Sequence, residues 1–296
     1  MDSEVLLDVS QGTLLPNQQI RTLSQSARAF IALDGLRGIA ALAVAVRHAP
    51  YLWQAGYPTG FLHESYLAVD FFFVLSGFVL AYAYGERLQT GMSAQKFISV
   101  RLIRLYPLYL LAFSISMILL VGQWHFGKIS AVDATFNAVF AILFVPSLFS
   151  QNNIFPMNSP AWSLFFELAA NFVFGLLGKR INTLILVLVV FVAALTLLLA
   201  VAFGWLGFGT ANGPMDAGPT WRSISAGLAR VSYSFFAGVL AYRLWRVHSA
   251  KIVFSPLILV SGLSAILMAC PPEGYQISFD LLATVIIFPA IVFFWR

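Results

Sequence analysis

Ile181-Asn182-Thr183-Leu184-Ile185-Leu186-Val187-Leu188-Val189-Val190-Phe191-Val192-Ala193-Ala194-Leu195-Thr196-Leu197-Leu198-Leu199-Ala200-Val201-Ala202-Phe203 carries no charged side chain from end to end. A helix needs about 20 apolar residues to cross the hydrocarbon core of a bilayer. This run meets that length. Its apolar character is continuous rather than alternating, which excludes a lipid-facing β-barrel strand and leaves a helix as the structure that satisfies its own backbone in lipid. Working outward, comparable runs cover about 30–50, 66–84, 104–122, 161–178, 182–203, 224–243, 254–270 and 279–295. The composition agrees: 60% of the 296 residues are apolar, 10% are charged and the mean hydropathy is +0.85. A soluble domain carries roughly a quarter of its residues charged. The fold class read here is all-α, a polytopic transmembrane helical bundle of eight or nine spans.

The formal charge of +5 is no nucleic-acid footprint, because the Lys and Arg lie mainly between the apolar runs, where they orient a chain in the bilayer. Residues 1–29 are polar and have no apolar core of their own, so they are read as a disordered cytoplasmic tail rather than a signal peptide, ahead of a membrane domain at 30–296. The basic connections are that tail, 85–104, Lys179-Arg180 and 243–251. The apolar segment 134–149 is short and broken by Pro146. If it does not cross, every basic connection falls on one side; if it crosses, Lys179, Arg180, Arg243, Arg246 and Lys251 end up outside. The positive-inside tendency favours a re-entrant or interfacial segment. The chain stops just after an apolar run, at Trp295-Arg296, so the bundle reads as short or C-terminally incomplete. The single Cys270 excludes an internal disulfide and a thiolate cluster, and no two histidines have metal-ligand spacing, so no metal is expected.

Ionisable residues inside a span cost several kcal/mol and mark sites or pairs. The first span holds Asp34, Arg37, Arg47 and His48. At about 100° per residue, Arg37 and His48 lie within about 20° of one face and about 16 Å apart along the axis. They read either as a basic anchor and a titratable imidazole on one stripe, or as an Asp34–Arg37 pair with His48 capping the end. Arg47, one residue off the stripe, reads as snorkelling. Asp70 opens the second span, where Ser76 and Gly77 suit close helix approach. Arg101 and Arg104, about one turn apart, are either topological anchors or a clamp for phosphate groups. Glu167 lies about 9 Å into its helix. At that depth His48 is its candidate partner, a carboxylate fixing the tautomer of a general base, with a structural ion pair as the alternative.

Together, Leu33-Asp34-Gly35-Leu36-Arg37-Gly38 with His48 eleven residues beyond Arg37, Val69-Asp70-Phe71-Phe72-Phe73-Val74-Leu75-Ser76-Gly77-Phe78, Arg101 to Pro107, and Ser159 to Glu167 with Trp162 five before Glu167 resemble the acyltransferase 3 family. These are membrane enzymes that O-acylate surface polysaccharides and glycosides. The resemblance implies a co-substrate, acyl-CoA and commonly acetyl-CoA, with no permanently bound cofactor, a carbohydrate or glycolipid acceptor, and surrounding membrane lipid as partner. It implies a bacterial plasma membrane location with the N-terminus cytoplasmic. It makes His48 the catalytic histidine, Arg37 its partner and Glu167 a supporting catalytic carboxylate. Arg101, Arg104 and Ser76 are the donor-binding candidates, and Asp34, Asp70 and Trp162 the structural ones. Two other readings stay open on the residues alone: a transporter using the buried charges, and an inactive truncated homologue.

Overall fold

The computed structural model describes residues 33–48, 62–178, 180–210, 213–247 and 254–295. The polar tail at 1–29 lies outside them, as do the ends of the first apolar run and Lys179, His248 and Lys251. Nine helices are described. α1 covers 33–47. A 3-10 turn at His63–Leu67 leads into α2 (Ala68–Thr90), followed by α3 (Ala94–His125) and α4 (Ala131–Ile142). After α5 (Ala161–Leu177) and α6 (Thr183–Ala202), a 3-10 turn at Trp221–Ser223 opens α7 (Ile224–Val247). α8 (Pro256–Leu267) precedes α9 (Gln276–Phe293), which contains one π-helical stretch at Ala283–Ile287. Among the described residues there is no strand, only isolated bridges such as Asn153 with Thr220.

Local signals set the helix starts. Ser93 accepts from the Lys96 amide at 3.2 Å to cap α3, and Asn182 accepts from the Ile185 amide at 2.8 Å to cap α6. Gly91, at φ 136°, ends α2 in a conformation that an L side chain rarely adopts.

α2 and α7 run parallel through the centre. Asp70 meets Arg230 near their starts, and further along both helices Phe78 meets Tyr242 and Trp245. They approach until backbone touches backbone. A Cβ on Gly77 would collide with the Phe235 carbonyl, and one on Gly238 with the Val74 carbonyl. Gly77 therefore has the close-approach role expected of it, with Gly238 as its reciprocal partner. One apolar cluster joins α2 to α1, α8 and α9; a second joins its other face to α3, α5 and α7. The outside is inverted relative to a soluble protein. Leu108, Leu111, Ile118, Leu184, Leu188 and Phe191 all point outward, as side chains facing lipid do.

The α4 region decides the topology. At 12 residues α4 is about 18 Å long, short of the ~30 Å hydrocarbon core. It folds back on α3, where the Tyr106 hydroxyl reaches the Ile142 carbonyl. The chain after it is pinned to the start of α7: the Ile154 amide donates to the Pro219 carbonyl at 2.9 Å, and Trp221 to Asn152 at 3.0 Å. α3 begins at the opposite end, since Arg101 and Phe97 meet Glu167 and Phe174 in antiparallel order. The segment therefore returns without crossing. One end of the bundle consequently collects Arg87, Lys96, Arg180, Arg243 and Arg246; it is called the basic end below.

Candidate active site

Halfway along the bundle, two helices bring polar groups to one carboxylate oxygen on a third. Ser76 on α2 donates to Glu167 Oε1 at 2.6 Å, and Arg101 Nη2 on α3 donates to the same atom at 3.1 Å. The Arg101 and Glu167 side chains are only 14% and 15% exposed. The depths agree with helix geometry: Glu167 lies about 9 Å into α5 and Ser76 about 12 Å into α2 from one end, while Arg101 lies about 10 Å into α3 from the other. Arg101 Nε is buried with no partner among the described residues, so its fork is only partly used. Arg104, which is exposed, and Arg37 stand close enough for their charges to repel Arg101, and Tyr84 stands near it too. Two of the three donor-binding candidates, Ser76 and Arg101, thus meet Glu167, with Arg37 and Arg104 at the margin. Three guanidinium groups thus stand in this region against two carboxylates, Glu167 and Asp34, a surplus of positive charge that favours an anion.

Arg37 also pairs with Asp34 on its own helix, at 3.2 Å, with their side chains 39% and 69% exposed. The buried face of α1 is Leu33, Leu36, Ala40 and Ala43, and Arg37 flanks it. His48 is the first residue past the helix and is exposed. It does not sit behind Glu167. Serine and arginine occupy that carboxylate, and His48 stands at the far end of α1, about 16 Å from Arg37 along the axis. The carboxylate whose charge reaches His48 is Asp216, together with the Arg47 guanidinium.

Arg47 is no snorkelling residue. It donates to the His63 carbonyl at 2.8 Å and to Asp216 at 3.0 Å, and covers the Tyr66 ring at 5.3 Å. It fastens the end of α1 to the loop before α7.

The structural candidates take different positions. Asp34 remains on the surface. Asp70 is wholly buried and pairs with Arg230 at 2.6 Å. Arg230 also donates to the Ala217 carbonyl at 2.7 Å and the Tyr66 carbonyl at 3.0 Å. Trp162 lies under the same guanidinium at 5.5 Å and against Gly218. Arg230, Asp216, Glu64 and Asp280 were not singled out from the sequence. For Arg230 and Asp280 a signal existed, an ionisable residue inside an apolar run. Asp216 and Glu64 lie in connections and gave none.

Compared with known proteins, residues 30–296 match the model of the acyltransferase 3 family, described as an acyltransferase domain. A relative from Rhizobium radiobacter, "Protein 2 in picA locus", is 40% identical over 186 residues, covering 58% of this chain and 95% of the relative. No solved structure matches.

Proposed function

This chain belongs to the acyltransferase 3 family, and we propose that it moves an acyl group, acetyl in the simplest case, from acyl-CoA to a hydroxyl of a carbohydrate or glycoside. Its family and its long apolar helices make it a membrane acyltransferase. What supports the acyl-CoA donor is the Arg101–Glu167 pair with the charges of Arg37 and Arg104 within reach of Arg101, midway between the basic end and His48.

In this reading the basic end faces the cytoplasm, following the positive-inside tendency. The acyl-CoA phosphates meet Arg104, the exposed arginine, and Arg101, whose unused Nε has a donor to give. Glu167, itself bonded by Ser76, holds Arg101 in place, which makes Glu167 a positioning residue rather than the support of the base. Arg37 steadies the donor arm on its way toward His48. There the acceptor hydroxyl oxygen attacks the thioester carbonyl carbon while His48 takes the hydroxyl proton. The C–S bond breaks, the new C–O bond remains, and the imidazolium returns its proton to the departing CoA thiolate. Burial and the Arg47 guanidinium favour the neutral imidazole that such a base needs, with the Asp216 carboxylate opposing them in part.

The test compares surface glycans and lipids by mass spectrometry with and without the gene, and with His48→Ala. The gene should add an acyl mass. The variant should insert normally and lose about 100- to 10,000-fold of the transfer rate, the usual worth of a general base. Undiminished acylation by His48→Ala would remove this mechanism.

A further inference from the structure

His63 lies in the connection before α2, and its surroundings are those of a built site. Its Nδ1 lies 2.9 Å from Glu64 Oε1, and Glu64 is wholly buried while the imidazole is 29% exposed. With Glu64 as a carboxylate, which can only accept, the proton of a neutral ring sits on Nδ1 and Nε2 is left as an acceptor. A carboxylate behind an imidazole fixes its tautomer and orientation. The wall behind the pair is itself fixed. Tyr66 donates to Asp280 at 2.8 Å, and the Met215 amide donates to the same oxygen at 3.2 Å.

In front of His63 is a cavity of about 260 Å³, just under the ~300 Å³ at which ligand pockets usually begin. Gly204, Gly209, Thr210, Gly213 and Gln276 line it with His63. All three glycines have positive φ, so the wall is bare backbone that no other residue would form easily. Thr210 and Gln276 add neutral hydrogen-bonding groups, and Val201, Ala202 and Ile277 an apolar side. Among the described residues no lysine or arginine lines it. The contrast is a cavity of about 240 Å³ at the basic end, lined by the charged side chains of Glu86, Arg243 and Arg246. The cavity beside His63 suits a small neutral ring with many hydroxyls and one C–H face. It opens at the same end as His48, because Arg47, the neighbour of His48, is bonded to the His63 carbonyl.

We infer that this cavity is the acceptor subsite, seating one neutral sugar ring with His63, held by Glu64, accepting a hydrogen bond from a ring hydroxyl. Naming the sugar as acceptor rests on the acyl-transfer reading above; the seat itself does not.

The test uses the full chain in lipid nanodiscs and a photoreactive diazirine glucoside as probe. Irradiation should label peptides containing residues 201–210 or 276–277. The probe concentration for half-maximal labelling should rise about three- to tenfold in His63→Ala, the loss of one hydrogen bond. It should stay near wild type in His63→Gln, whose amide oxygen still accepts. Ile277→Trp, which fills the cavity without touching the His–Glu pair, should abolish labelling even if His63→Ala fails to fold. Labelling elsewhere, or labelling that survives both His63→Ala and Ile277→Trp, would overturn the inference. Acetyl transfer from acetyl-CoA to the same glucoside is read in parallel. Labelling kept in His48→Ala while transfer is lost supports both readings. Labelling of the wild type without any transfer counts against the acyl-transfer reading and leaves the sugar seat standing.

Discussion

α6 and α7 lie side by side and both are long and apolar, yet they do opposite things. The most apolar stretch of α6 is 28% buried and that of α7 is 72% buried. α6 is the more hydrophobic of the two and faces outward through Leu184, Leu188 and Phe191. α7 carries Arg230, Ser234 and Gly238 and forms the centre. In water the apolar helix would be the buried one. In a bilayer apolar side chains are equally content in lipid, so the inside is chosen by residues that lipid rejects or by small residues that let backbones meet. The buried charge of α7 is held by Asp70, Tyr66 and Ala217, all from elsewhere in the chain. α6 makes no such demand.

This difference can be broken or sharpened by substitution. The largest stability effect should come from Asp70→Ala, which strands the Arg230 charge in the core. Losing one partner of a buried pair costs about 3–5 kcal/mol. Thermal unfolding in detergent should show a large drop; a wild-type midpoint would mean the α2–α7 centre does not depend on the pair. Next comes Gly238→Val, which pushes a side chain into the Val74 carbonyl. Overpacking of that kind costs about 1–3 kcal/mol, and the same unfolding scan should register it. If the midpoint does not move, the helices have more room than the backbone contact implies. The smallest effect belongs to α6. Leu188→Ala on its outward face should change stability by no more than about 0.5 kcal/mol. A loss of several kcal/mol there would place that face against protein instead of lipid.

Much of the bundle was legible before any geometry. The apolar runs located the helices, and the basic connections implied that the segment around 134–149 turns back, as α4 and the 147–154 chain do. Gly77 was legible as a close-approach residue because a small side chain within a span has few other uses. The site was legible in part. Ser76, Arg101 and Glu167 were each conspicuous as polar groups, and they meet. Their pairing was not readable. Glu167 and His48 appeared matched by depth alone, but depth along a helix says nothing about which neighbour stands opposite. The placement of α3 between α5 and the margin of α1 gave Glu167 to Arg101 instead.

Other residues were invisible for a similar reason. His63 and Glu64 are adjacent in a connection, and nothing in that dipeptide distinguishes a solvent-exposed pair from an imidazole backed by a buried carboxylate. Asp216 gains its significance only because Arg47 reaches across to it from a helix 169 positions away.

The sequence by itself determined that the chain crosses membranes as helices, because an uncharged apolar run leaves the backbone no other way to satisfy its hydrogen bonds in lipid. It also determined which polar residues would need a reason to be there. Which of them face one another was decided by tertiary structure alone. Ion pairing and hydrogen bonding act over about 3 Å, and only the packing of α1, α2, α3, α5 and α7 sets distances at that scale.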